Sequence, residues 1–197
     1  MHRSRPSDAV PFSAGRRAFL LAGAAATGAY LLTRRGRAAA LSAPKRGPTV
    51  RIETFAPSGR SLGVSELARI AKTDEEWRAQ LSPAAYQVTR HEGTEPAFSG
   101  KYAESRGDGL YVCVCCATVL YDSRTKFDSG TGWPSFWRPI SRLNVVETTD
   151  RSWGMERIAV TCSRCHAHLG HVFDDGPKPT GLRYCMNSVA LNFVARA

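Results

Sequence analysis

Six cysteines stand in this 197-residue chain, and four of them form two Cys-x-x-Cys pairs, Cys113 with Cys116 and Cys162 with Cys165. That spacing lets a tight turn aim two thiolates at one ion, and two such turns complete a tetrahedral Zn²⁺ site with no open coordination position. The interval between the pairs is much longer than in small zinc fingers, so the metal would tie distant parts of a sheet together rather than hold up a miniature fold. Three other uses suit the same residues: disulfides in an oxidising compartment, redox Cys-x-x-Cys motifs, or a zinc-ribbon binding module. The pairing of two such motifs favours structural zinc.

Subtracting four ligands leaves Cys115 and Cys185. Cys115 lies between two ligand candidates and reads as a bystander. Cys185 stands alone in Gly181-Leu-Arg-Tyr-Cys-Met-Asn-Ser-Val. An isolated cysteine is more often a small buried hydrophobe than a nucleophile, but Arg183 two residues earlier would lower its pKa and raise its thiolate fraction. In an extended segment Asn187 shares its face. His166, His168 and His171 crowd the stretch after the second pair; His166 also suits the metal site, and His168 and His171 are candidate acids beside a lone thiol. A hydrolytic metal centre needs an open metal position, and four thiolates leave none.

The formal charge of +10 is unevenly spread. Residues 1–40 carry +6 and the remainder only +4, so a nucleic-acid footprint is not required. Arg16-Arg17-Ala-Phe-Leu opens an uncharged Ala- and Gly-rich run to Leu32, followed by Ala38-Ala39-Ala40. This pattern predicts a twin-arginine signal peptide over residues 1–40, a cleaved leader and a periplasmic protein. The run is short for a bilayer span, which makes an uncleaved membrane anchor the second reading.

Residues 41–64 contain two Pro/Gly/Ser-rich stretches, Ser42–Pro48 and Ala56–Gly63, and are expected to be a flexible linker, with order beginning near Ser65 and one domain over residues 65–197. Thr73-Asp-Glu-Glu76 is a capping box ahead of Trp77 and Leu81, and Ser82-Pro83 opens a second short helix. After Gly100 the runs Leu110–Val114, Leu143–Thr148, Arg157–Thr161 and Ser188–Val194 predict a mainly antiparallel β domain.

Several separated segments in order, Lys126-Phe-Asp-Ser-Gly-Thr-Gly-Trp-Pro-Ser-Phe, His168-Leu-Gly-His-Val-Phe, Arg183-Tyr-Cys-Met-Asn-Ser and both cysteine pairs, resemble the B-type methionine-R-sulfoxide reductases. The resemblance spans about Thr73 to Val194. It implies a mainly β fold of two antiparallel sheets with short N-terminal helices, and a structural Cys₄ zinc site of Cys113, Cys116, Cys162 and Cys165 away from the active site. The implied activity is reduction of free or protein-bound methionine-R-sulfoxide, a repair of oxidative damage, by a monomer served by a thioredoxin-like or other thiol reductant. It assigns Cys185 as nucleophile, His168 and His171 to the sulfoxide oxygen, Asn187 to the polar substrate site and Trp133 to the wall that receives the methyl group. Many members carry a recycling cysteine between the two glycines before that tryptophan; here Thr131 occupies the position. The rival from another class is a zinc-stabilised β-sheet binding module without catalytic activity.

Overall fold

The computed structural model describes residues 48–197. The expected leader, its paired arginines and its cleavage site lie outside them, as do residues 41–47 of the expected linker. Among the described residues no helix is long and apolar enough to cross a membrane.

Where a linker is expected, the chain forms a hairpin: β1 (Thr49–Phe55) pairs antiparallel with β2 (Ser61–Ala68). Order therefore begins well before Ser65. The Pro57-Ser58-Gly59 cluster that reads as linker is the hairpin's turn, with Gly59 at φ 83° and its N–H bonded to Ala56 O at 2.8 Å. Turn and linker draw on the same residues, so composition alone does not separate them. Buried Ile52 anchors β1, and the Asn144 side chain both accepts from Glu53 N–H and donates to Glu53 O, each at 2.9 Å.

The capping box folds as its sequence dictates: Thr73 Oγ1 accepts from Glu76 N–H while the Glu76 carboxylate accepts from Thr73 N–H, opening α1 (Asp74–Gln80). Ser82 caps α2 (Pro83–His91), whose Ala85, Tyr86, Val88 and Thr89 are buried. The rest is β, in β3 (Gly109–Cys113), β4 (Val119–Asp122), β5 (Lys126–Phe127), β6 (Ser135–Phe136), β7 (Val145–Asp150), β8 (Arg157–Cys162), β9 (His168–Phe173), β10 (Arg183–Met186) and β11 (Leu191–Ala195). These make a three-stranded sheet, β11-β3-β4, and a six-stranded sheet, β5-β6-β10-β9-β8-β7, with every ladder antiparallel. The two expected sheets and two helices are thus present, with the N-terminal hairpin added. Fully buried Tyr111, Tyr121, Phe136 and Tyr184 join the sheets, Tyr121 stacking on Phe136 at 4.4 Å between centroids.

Candidate active site and metal centre

The two cysteine pairs sit on turns of identical construction. Ala117 N–H bonds back to Cys113 O and Cys113 N–H to Thr118 O; His166 N–H bonds to Cys162 O and Cys162 N–H to Ala167 O, all at 2.8–2.9 Å. Each turn closes with a non-glycine residue in the left-handed region, Ala117 at φ 57° and His166 at φ 55°. The four Sγ atoms lie within 4.8 Å of one another, with Cys113–Cys165 at 3.6 Å and Cys116–Cys162 at 3.5 Å. Zinc–thiolate bonds of about 2.3 Å in a tetrahedron place sulfurs about 3.8 Å apart. Donor type, count and spacing all fit zinc, which would staple the β3–β4 turn to the β8–β9 turn.

Cys185 lies mid-sheet on β10, opposite His171 of β9 on one side and Ser135 of β6 on the other. Directly opposed residues of antiparallel strands project to the same face. His168 and His171, three residues apart, would project to opposite faces of a regular strand. A bulge reunites them: Ala159 pairs with His171 and Val160 with Gly170, but Thr161 pairs with His168, leaving Leu169 as the extra residue. The two rings meet edge to face at 5.2 Å between centroids.

Asn187 holds that bulge. Its backbone N–H and its Nδ2 both donate to Leu169 O, at 2.8 and 3.1 Å, and its Oδ1 accepts from Glu95 N–H at 2.9 Å. Asn187 does line the cleft with Cys185, His171 and Trp133, but most of its amide bonds within the chain. Glu95, buried, extends the frame. Its carboxylate accepts from Ser188 N–H at 2.7 Å and Val189 N–H at 3.0 Å, and its carbonyl accepts from Trp133 Nε1 at 3.0 Å, fixing the indole as one wall of a cleft of about 140 Å³.

The two histidines occupy different electrostatic settings. His168 is 3 % exposed, and neither ring nitrogen has a partner. Burial, then the neighbouring His171 and Arg157, push its pKa down to about 4 against the pull of Asp150, so the ring is neutral at pH 7. His171 Nε2 instead meets Asp150 Oδ2 at 2.9 Å. Asp150 is held well below the usual carboxylate range, first by the backbone and side chain of Ser152 and then by His171. Arg157 bonds the same carboxylate oxygen at 2.7 Å.

The expected lowering of the Cys185 pKa by Arg183 is outweighed. Burial pushes the thiol up; the Arg183 charge and the Thr131 and Ser135 hydroxyls act in the opposite direction without prevailing. The reason is visible in Arg183, whose guanidinium forms a two-pronged pair with Asp175, both bonds 2.8 Å, that neutralises much of its field. Thr131 Oγ1 lies 4.0 Å from Cys185 Sγ. Cys115 is buried elsewhere, against Cys113, Cys165 and Thr89 in the metal turn.

The sequence-expected residues Cys185, His171, Trp133 and Asn187 therefore meet at one cleft, with His168 beneath and the four metal ligands outside it. Glu95, Asp150 and Arg157 were not anticipated. Asp150 is 21 residues from His171, and only the pairing of three strands joins them; no local pattern announces it.

Known proteins match most of this chain. The SelR domain family matches residues 81–195. A peptide methionine sulfoxide reductase MsrB from Pseudomonas entomophila (strain L48) is 59 % identical over 130 residues, covering 66 % of this chain and 99 % of the relative. A protein of the same name from Pseudomonas savastanoi pv. phaseolicola (strain 1448A / Race 6) is 59 % identical over 128 residues, covering 65 % and 98 %. With relatives matched almost end to end at this identity, the chain belongs to the MsrB family of peptide methionine sulfoxide reductases.

Proposed function

We propose that the chain reduces methionine-R-sulfoxide, free or within a polypeptide, to methionine through Cys185. One observation carries the mechanism: a thiol and an aspartate-paired histidine face each other across adjacent strands in a cleft walled by an indole. A sulfoxide sulfur accepts a thiolate only as its oxygen is protonated. His171, when protonated and paired with Asp150, is the proton donor, and neutral His168 packs edge to face beneath it and holds the ring in place. Trp133 receives the methyl group on its flat face. Cys185 Sγ, as thiolate, attacks the sulfur while the oxygen takes the proton; the hydroxyl then passes from the methionine sulfur to Sγ as the new S–S bond breaks, so that methionine departs and Cys185 is left as a sulfenic acid. The zinc supplies rigidity and takes no part in these steps.

Regeneration uses two thiols from outside. One attacks the Cys185 sulfenic sulfur and expels water; the second attacks the resulting mixed disulfide and releases Cys185. Thr131 occupies the place of a recycling thiol, and Cys115 is packed into the metal turn. Mass spectrometry after one turnover without reductant should find sulfenic acid at Cys185; a Cys115–Cys185 disulfide would show internal recycling instead.

Cys185→Ser should lower kcat/KM by at least about a thousandfold while zinc content and melting temperature stay near wild type. Each sulfoxide epimer should be assayed with dithiothreitol and then thioredoxin. Retained activity, or turnover of the S epimer alone, would sink this reading. The non-catalytic binding module gains no support from a site assembled in this way.

The protein is further proposed to act as a monomer in the periplasm after export by its paired arginines, Arg16 and Arg17. A twin-arginine substrate crosses the membrane folded, so zinc would be loaded beforehand. Lysines in place of both arginines should leave the protein in the cytoplasm, and periplasmic protein without zinc would contradict the loading order.

A further inference from the structure

One apolar turn beside the cleft is built in a way that chemistry on the sulfoxide alone does not require. Pro96, Ala97 and Phe98 are exposed in succession, Phe98 to 69 %. A solitary exposed apolar side chain is ordinary; three in a row on rigidly held backbone are not. The turn follows Glu95, which is locked by its contacts to Asn187, Ser188, Val189 and Trp133. Ser99 Oγ closes it onto Pro96 O at 2.7 Å. Phe98 N–H then donates to Gly132 O at 2.9 Å, tying the turn between Thr131, which touches Cys185, and Trp133, which walls the cleft.

Phe98 adopts φ 63°, a left-handed conformation that a bulky side chain occupies only when its surroundings impose it. Gly132 makes the approach possible: a Cβ there would meet Phe98 N at 2.7 Å and the Phe98 ring at 2.8 Å. Backbone strain and close packing are thus used to present an aromatic ring to water at the edge of the reacting cleft. Thr94, before the anchor, lines that cleft itself.

We propose that the turn 96–98 is a platform for an apolar side chain neighbouring the oxidised methionine in an extended polypeptide, giving the protein a preference for sulfoxides in hydrophobic sequence contexts. This rests on the reduction proposed above. Methionines are mostly buried residues, and the segments that expose them on unfolding carry apolar neighbours. A ring fixed beside the cleft gains the burial of such a neighbour without ordering cost, whereas free methionine sulfoxide offers it nothing to bind.

The test compares two capped peptides, one with Phe and one with Ser next to methionine-R-sulfoxide, and free methionine-R-sulfoxide, using the full chain and Phe98→Asn. Asparagine tolerates the left-handed backbone and removes the ring. The wild type should favour the Phe peptide in kcat/KM by roughly fivefold to tenfold. Phe98→Asn should bring that ratio to about one and leave free sulfoxide turnover unchanged. An unchanged ratio, or an equal loss on all three substrates, overturns the platform; the latter would mean that the turn only positions Trp133. Fluorescence anisotropy with the two peptides carrying methionine sulfone, which is not reduced, separates this from the catalytic reading. Tighter binding of the Phe peptide that Phe98→Asn abolishes supports the platform even if no sulfoxide is turned over, and equal binding of both peptides by the wild type refutes it.

Discussion

Within one short strand two histidines sit in different settings, one buried without partners and the other against a carboxylate. A histidine kept neutral by burial stabilises the fold fully above its ordinary value of 6.5, and that contribution drains as pH falls towards about 4, because the unfolded chain takes up a proton that the folded one refuses. The loss is roughly 3 kcal/mol at most. Urea unfolding at pH 7.5 and pH 4.5 should show wild-type stability falling across this window by more than that of His168→Asn; equal losses would mean that another group sets the acid limb. Asp150→Asn should lower kcat by about tenfold to a hundredfold, with KM little changed, because His171 loses the carboxylate that orients its ring. The residues that gather at and beneath the cleft were legible because Cys185, His168, His171 and Trp133 lie in recognisable segments and carry distinctive chemistry. Glu95 and Asp150 were hidden because each acts on residues far along the chain, Glu95 on Asn187 across 92 positions. The effect of Arg183 was misjudged for a related reason: its neutralising partner Asp175 and the burial of Cys185 are properties of the folded state.

β9 is the element on which the site turns. Its bulge makes a spacing of three serve where a regular strand needs two or four, and Gly170 lets β9 approach β10 closely: a Cβ there would lie 2.0 Å from Cys185 O. Gly170→Ala should therefore cost at least about 2 kcal/mol, read as a melting temperature lower by several degrees, and should weaken activity by displacing Cys185 from His171. A variant as stable and active as wild type would contradict that packing. Helix starts were legible at this scale because capping is local chemistry, and the β runs because branched and aromatic residues cluster in them. The bulge was not, since extra residues appear only when two strands are aligned, and the first hairpin was concealed by a turn composed like a linker.

Across the whole molecule the metal centre joins turns separated by 46 to 52 residues, one from each large sheet. Metal analysis should return one zinc per chain. Its removal with a strong chelator, or Cys116→Ser, should lower the melting temperature by at least about 10 °C, and the loss should be smaller in Cys115→Ser, whose thiol lies outside the tetrahedron.

The strand order of the larger sheet also has a consequence for synthesis. β10 is inserted between β6 and β9, both made earlier, so the sheet has a gap at its centre until the chain reaches Met186. Both cysteine turns are complete by Cys165, 20 residues before Cys185 is added. The metal turns belong to β3, β4, β8 and β9 and need no residue of β10, whereas the cleft exists only once β10 has filled the slot between β6 and β9.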